Sequence, residues 1–454
     1  MAIGTMEQES DRRRFLSVVL TGAAIGVAGC SGDDGSGNGT DGGNGGGMDT
    51  TTTSNGGMTT TTAAETTEPT TTEEPPEETT EEPLEETPVV DPDNDAPDGV
   101  FGQFQFDAAN TGFVPDASVP SSPSLDWQYP EEPADSIEGP VYVDGALYAI
   151  VRADETRTMV ALDAITGEVL LEDEEVFSSV FSYFAPAYLG SSLYVNGGEA
   201  IRSLSASDFS EEWTGAQSLS SIAEMTVTDD ALYGWGGGFE ETSVRSLSRS
   251  DGSLRWEQTL TLDDLTRERP VAVAEDTVLV PGDELLALDA NDGSELWSVT
   301  AEDTITAPPT VVDGTAYVGT EAGRVRGYDV ADGTEVLTAE PDVGIFDIEE
   351  PLVHNDGRLF GTSLSASFAV DIASGSVDWT LDTGFAAPPT AADDVFLGLS
   401  PGGDPIRAVD RSDGSMAWGA GPIISAGSMS GSGRVFAIGS LVFAAYNGVI
   451  VGLS

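Results

Sequence analysis

The sequence contains no lysine, and every basic side chain except one histidine is arginine. Basic residues of any kind are scarce: Lys+Arg is 17 against Asp+Glu 79, a formal net charge of -62. So acidic a chain repels phosphate, which excludes nucleic acid as a natural partner. It has equally little attraction for an anionic lipid surface. At ordinary ionic strength this self-repulsion opposes a compact fold. At molar salt the Debye length falls to about 3 Å and the repulsion is screened, so the composition implies adaptation to high salt. Cysteine is nearly absent too. Cys30 stands alone, which excludes an intramolecular disulfide and a thiolate metal cluster. His354 is the one histidine, so no second histidine exists for a zinc site. Between about 100 and 454 no amphipathic helical period is found.

What is present points to turns and strands. Gly is 54 and hydrophobic content is 39%, a balance suited to a turn-rich β protein.

The N-terminus reads as an address. Asp11-Arg12-Arg13-Arg14-Phe15-Leu16 precedes an apolar run from Ser17 to Cys30. A charged start followed by an apolar stretch too short to span a bilayer is a cleavable signal. Arg12 and Arg13 before Phe-Leu resemble the twin-arginine export signal. Val27-Ala28-Gly29-Cys30 resembles a lipobox, in which the cysteine becomes the lipidated first residue. Residues 1–30 are therefore expected to be a signal peptide with Cys30 as lipid attachment site, the chain touching a bilayer through that anchor only. A leader cleaved without lipid is the alternative.

Residues 31–98 are Gly, Thr, Glu, Pro, Asp and Ser with almost no large apolar side chain. Such a segment cannot bury enough surface to offset the entropy of ordering it, and is expected to be a disordered acidic stalk. Ser/Thr-rich tracts with proline also have the composition of glycosylated stalks.

From residue 99 onward one unit repeats. Asp289, Gly293 and Trp297 show it most clearly, and Asp371, Gly375, Trp379 and Asp410, Gly414, Trp418 keep the spacing. Asp163, Gly167, Leu171 and Asp329, Gly333, Leu337 carry leucine at the last position. Ser248, Gly252, Trp256 has serine for aspartate, and Ser205, Phe209, Trp213 keeps only the tryptophan. The anchors at 163, 205, 248, 289, 329, 371 and 410 differ by 42, 43, 41, 40, 42 and 39. Near-40-residue repeats with period-2 patterning are the marks of a propeller blade of four short strands. The first strand of each unit begins near a proline, as at Pro140, Pro309 and Pro389. The last repeat ends at Ser454 without its Gly turn and tryptophan strand. Ser124 to Tyr129, around Trp127, supplies the missing strand. The prediction is an all-β, eight-bladed propeller over 99–454, closed by pairing that strand with the C-terminal blade. In each unit the aspartate should accept backbone hydrogen bonds in its turn and the glycine should take the φ > 0 position. The tryptophan should lie between neighbouring blades.

Ala-x-Asp-x-x-x-Gly-x-x-x-Trp resembles the docking motif of the pyrroloquinoline-quinone (PQQ)-type propeller repeats. That superfamily holds quinoprotein alcohol dehydrogenases and the non-enzymatic lipoprotein of the outer-membrane assembly machine. Phe104 to Gly112 resembles the entry segment before the first blade of haloarchaeal members. The resemblance covers 101–454 and implies the fold; its repeated residues hold blades together and do not specify a function. Two activities follow from it. One is a non-catalytic scaffold for an envelope protein or surface ligand, with no cofactor. The other is a membrane-anchored dehydrogenase using PQQ and Ca²⁺, which would bring a vicinal disulfide that one cysteine cannot form.

Few residues stand outside the repeat. His354, in His354-Asn355-Asp356-Gly357, reads as a surface turn histidine. Asp91-Pro92-Asp93-Asn94-Asp95 has acidic spacing without the Gly and distal Glu of an EF-hand, and reads as linker. Phe181 to Phe184, Trp235 to Phe239, and Gly344 to Phe346 are aromatic departures that core or loop packing accounts for first, and a binding surface second.

Overall fold

Short apolar-alternating runs closed by tight turns leave each strand one way to satisfy its backbone, which is to pair with the next strand in an antiparallel meander. The computed structural model describes residues 89–454 apart from 93–94, 155, 175, 178–184, 198–199, 220–223, 239–240, 261–268, 345, 401–403 and 422–432. The described strands form eight antiparallel sheets, and no helix is found among the described residues. Blade 1 runs from Ser136 to Asp173, blade 2 from Ala187 to Thr214, blade 3 from Thr226 to Leu260 and blade 4 from Ala272 to Val299. Blade 5 spans Thr310 to Ala339, blade 6 Val353 to Leu381 and blade 7 Thr390 to Ala420. The protein is an eight-bladed β-propeller. The first strand of each blade lies innermost, against its counterparts in neighbouring blades.

Blade 8 is composite, as the ragged ends of the sequence predict. Three strands come from Arg434–Leu453, and the outer one is Leu125–Tyr129. The closing register sets Leu125 opposite Leu453, Trp127 opposite Gly452 and Tyr129 opposite Ile450.

The repeat motif does what its chemistry requires. Oδ1 of Asp289, Asp329 and Asp410 accepts the backbone N–H two residues on, at 2.8 Å in each case. Asp163 accepts from Ile165 and Thr166, and Asp371 from Ser374. Each motif glycine has positive φ, 72° at Gly167, 73° at Gly293 and 75° at Gly414. The tryptophan of one blade then lies on the glycine of the next. A Cβ on Gly293 would stand 2.7 Å from the Trp256 ring, and one on Gly414 2.6 Å from Trp379. Trp127 meets Gly167, Trp213 meets Gly252, and Trp297 meets Gly333 in the same way. Indole N–H groups complete these contacts. Trp127 donates to the Ala164 carbonyl, Trp256 to Ala290, Trp297 to Val330 and Trp379 to Arg411. Trp418 is buried with the aromatic core of blade 8, which has no such glycine turn to receive it.

Threonines on the innermost strands add a second set of ties. Thr226, Thr310 and Thr390 each donate a hydroxyl to a carbonyl of the next blade, at Val271, Leu352 and Val435.

Candidate functional site

In a four-stranded meander the first and third turns fall on one face, and the second turn and the blade-to-blade connection on the other. All the Asp–Gly motif turns therefore share one face of the ring, the hairpin face. The connections between blades belong to the opposite, loop face.

The hairpin end of the axis is occupied by the protein itself. Residues 99–118 run around it and meet the blades in order. Asp144 N–H of blade 1 donates to the Gly99 carbonyl, and Tyr188 N–H of blade 2 to Gly102. The Gln103 amide both donates to and accepts from Val227 of blade 3. Val273 of blade 4 and Val311 of blade 5 donate to Ala108 and Ala109, His354 of blade 6 to Thr111, and Ala391 of blade 7 to Gly112. Ser118 donates to Gly439 of blade 8. The Asn110 amide bridges Val271 and Pro309, at 3.3 and 3.0 Å, and Gln105 reaches Pro389 at 2.9 Å. Asp107 holds the turn by accepting from Ala109 and Thr111, although burial raises its carboxyl above the usual range. Sequence reasoning placed this stretch before the first blade and missed its role. Three amides among apolar residues, in a segment without strand period, were the available signal.

The loop end of the axis carries charge. Arg434, where blade 8 begins, pairs with Glu224, at the start of blade 3, so this ion pair links blades far apart in the ring. Both side chains are largely buried, and the Arg434 guanidinium lies 5.9 Å over the Phe101 ring. Arg269, before blade 4, pairs with Glu349, before blade 6, at 3.7 Å and donates to the Thr306 carbonyl of the intervening connection at 3.0 Å. Glu138 is buried within the innermost strand of blade 1. Burial pushes the half-buried Glu350 carboxyl up to about 7; Arg269 opposes this only in part, and Glu349 adds like charge.

Arginines on the third strands fix the approaches to this mouth. Arg202 donates to the Val176 carbonyl and Arg245 to Ser218, each tying down the connection that precedes its own blade. Arg326, only 4% exposed, is held by Glu302, Asp303 and Glu335 and stays protonated.

The residues singled out from sequence distribute unevenly over this plan. The motif aspartates at 163, 289, 329, 371 and 410 lie in turns of the hairpin face, and the tryptophans at 127, 213, 256, 297, 379 and 418 lie on the outermost strands. Neither set reaches the mouth. His354 is not in the turn. It belongs to the innermost strand Val353–Asn355, half-buried, and burial lowers its pKa. The turn is at Asp356-Gly357, and His354 holds the same register as Val273 and Val311 in blades 4 and 5, its backbone N–H donating to the Thr111 carbonyl. Trp235 is core: it is 1% exposed and donates to the Arg269 carbonyl at 2.6 Å, below the mouth. Arg12, Arg13, Cys30, Asp93, Asn94, Phe181 to Phe184, Phe239 and Ile345 lie outside the described residues.

Among the described residues, the donor set at the mouth does not fit PQQ beside Ca²⁺. Of the carboxylates at this end, Glu224 and Glu349 are each paired with an arginine. Among the described residues no three His, Cys, Asp or Glu side chains gather as they would around a metal ion, and one cysteine cannot make a vicinal disulfide.

Composite closure, motif turns and tryptophan docking define a propeller of the PQQ-type repeat class. The chain belongs to the family described as outer membrane protein assembly factor BamB, whose repeats match residues 122–269 and 240–398. No curated protein matches it. Among solved structures it is similar to quinohemoprotein alcohol dehydrogenase from Comamonas testosteroni, at 12% identity over 78% of this chain and 80% of that one, TM-score 0.60. A europium-containing methanol dehydrogenase aligns at 11% identity over 76% of this chain and 89% of that chain, TM-score 0.58. The computationally designed Ika8 protein aligns at 14% over 71% and 97%, TM-score 0.55. At such identities the likeness is one of fold.

Proposed function

We propose that this protein is an exported, lipid-anchored propeller of the cell surface whose loop face is a non-catalytic scaffold for an envelope protein or surface ligand, working in molar salt. The observation that carries the reading is the state of the mouth. Its arginines and carboxylates are held against one another, and the opposite end of the axis is filled by residues 99–118. A mouth built of mutual ion pairs presents a shaped polar surface rather than convergent donors for a cofactor. The Val90 N–H donates to the Ser207 carbonyl in a hairpin-face turn. Export and anchoring rest on Arg12, Arg13 and Cys30 in the sequence.

Two measurements test this reading. Cys30→Ser should release the protein into the medium, and a variant that stays with the membrane defeats the anchor. Purified protein mixed with PQQ and Ca²⁺ should retain no quinone and reduce no dye with alcohols or sugars. Retention with turnover would establish the dehydrogenase instead.

A further inference from the structure

The residue just before the repeat's anchor position is a buried leucine or valine in the other seven blades, as with Leu162, Leu288 and Val409. In blade 5 it is Tyr328, 1% exposed, and its hydroxyl has no hydrogen-bond partner in the protein. Burial raises the phenol above its ordinary pKa, so it keeps its proton and can donate. Two residues earlier, on the same face of the strand, stands Arg326. Glu335 holds its Nη1, and Glu302 and Asp303 hold its Nη2, but the buried Nε–H has no acceptor. Arg202 and Arg245, at the matching position in blades 2 and 3, give Nε to Glu211 and Glu257. A buried polar group left without a partner costs about 1–3 kcal/mol. Blade 5 carries two on one short strand, at a place where the repeat asks for an aliphatic residue.

Both residues line a pocket of about 260 Å³ between blades 4 and 5. It lies toward the loop face, where the third strand of blade 5 begins and the connection from blade 4 leaves Val299. That volume equals roughly eight or nine water molecules at about 30 Å³ each, far more than one bridging water would fill. We propose that this pocket binds a sugar, whose hydroxyl groups meet the Arg326 Nε–H and the Tyr328 hydroxyl. Charge selects the class. Two arginines stand here against four carboxylates, Glu302, Asp303, Glu335 and Glu340, so the surroundings are net negative and repel an anion. A cation entering the pocket meets the guanidinium of Arg326 at its floor. A neutral polyol carries donors and acceptors together. It can donate to the exposed carboxylates of Glu302, Glu335 and Glu340 while accepting from the two buried donors.

The inference rests on the loop face being a ligand-binding surface, and it names the ligand. The test uses the full chain carrying Cys30→Ser in molar KCl. It is titrated with glucose, galactose and mannose and with their methyl glycosides, and binding is read by saturation-transfer NMR. A free sugar and the end of a glycan present the same hydroxyls. Preference for the free sugar over its glycoside assigns the pocket to free sugar, and binding of the glycoside at least as tight assigns it to a glycan end. At least one of these probes should bind, and Tyr328→Phe should weaken it roughly fivefold. Tyr233→Phe removes a hydroxyl that bonds the Ala290 carbonyl elsewhere in the ring, and should leave sugar binding unaltered. Without sugar, Tyr328→Phe should cost no stability in chemical denaturation, because the hydroxyl it removes has no partner to lose. A destabilisation as large as that of Tyr233→Phe would make the hydroxyl structural and overturn the proposal. So would binding by none of the probes, binding indifferent to Tyr328→Phe, or a pocket that takes inorganic phosphate or Ca²⁺ but no sugar. PQQ retention with turnover would defeat the scaffold reading whatever the sugars do, whereas a chain that refuses both PQQ and sugar defeats only this pocket.

Discussion

Two kinds of junction hold this ring together, and they differ in what fills the space between blades. Five junctions place a tryptophan on a glycine of positive φ; the ring and the missing Cβ are matched in volume. The junctions after blades 1 and 5 have leucine instead, and they resolve the deficit differently. Leu171 of blade 1 packs into the same cluster as Phe209 of blade 2, which stands where other blades have glycine and adopts φ 57° itself. The lost indole is replaced by a phenyl ring from the opposite side. Leu337 of blade 5 has no such compensation. It faces Gly375, where an added Cβ would find nothing closer than 3.5 Å. The lesson is that a lost indole can be replaced by a ring from the facing blade, as between blades 1 and 2, or left unreplaced, as between blades 5 and 6.

Breaking the ring at its composite blade should have the largest effect. Deleting residues 120–130 removes the outer strand of blade 8 together with Trp127, and cooperative thermal unfolding in molar salt should disappear. A shortened chain that still melts in one sharp transition would show that closure does not need this strand.

Next in size is the contrast between two glycines with the same backbone. Gly293→Ala brings a Cβ onto the Trp256 ring in addition to the strain of φ 73°, and should cost about 3 kcal/mol. Gly375→Ala meets only the strain at φ 68° and ordinary contacts no nearer than 3.5 Å, and should cost about 1 kcal/mol. Equal losses in chemical denaturation would mean that tryptophan contact is not what fixes these glycines.

The junction between blades 5 and 6 also holds Glu350, whose carboxyl is raised from its ordinary 4.5 to about 7. A carboxyl with a raised folded-state pKa binds a proton more tightly when folded. Its contribution is favourable below 4.5 and is lost as pH rises toward about 7. The melting temperature should therefore fall across that window, and Glu350→Gln should flatten the slope. A variant with an unchanged pH profile would remove Glu350 as the cause.

The smallest predicted effect runs in the stabilising direction. Leu337→Trp fills the loose junction and places an indole N–H near the carbonyl of Ile372, the counterpart of Ala290 and Val330 at the tryptophan junctions. A gain of about 1 kcal/mol is expected. A loss would show that the space at Gly375 is not open to a ring.

Much of the fold was legible because a repeat states the same physical demand many times. Asp289, Gly293 and Trp297 each have a local reason, a turn acceptor, a positive φ and a buried ring, and seven registers of this unit fix the blade count. The closing strand was legible from a deficit, the absent tryptophan strand after Gly452. The mouth was not. Arg434 and Glu224 are separated by 210 residues, and nothing in either neighbourhood announces a pairing that exists only once the ring has closed. Residues 99–118 were opaque for a related reason. Gln103, Gln105 and Asn110 bond carbonyls on four different blades, so their pattern follows the circumference of the ring and not any strand period.

The sequence by itself determined the all-β class, the eight blades, the composite eighth and the structural duty of six tryptophans, because turn chemistry and period-2 burial act over a few residues. Only the tertiary structure decided which groups meet on the axis: the segment that closes the hairpin end and the ion pairs that furnish the loop end. Those depend on distances set by closing the ring, and contacts of that range leave no period in a chain.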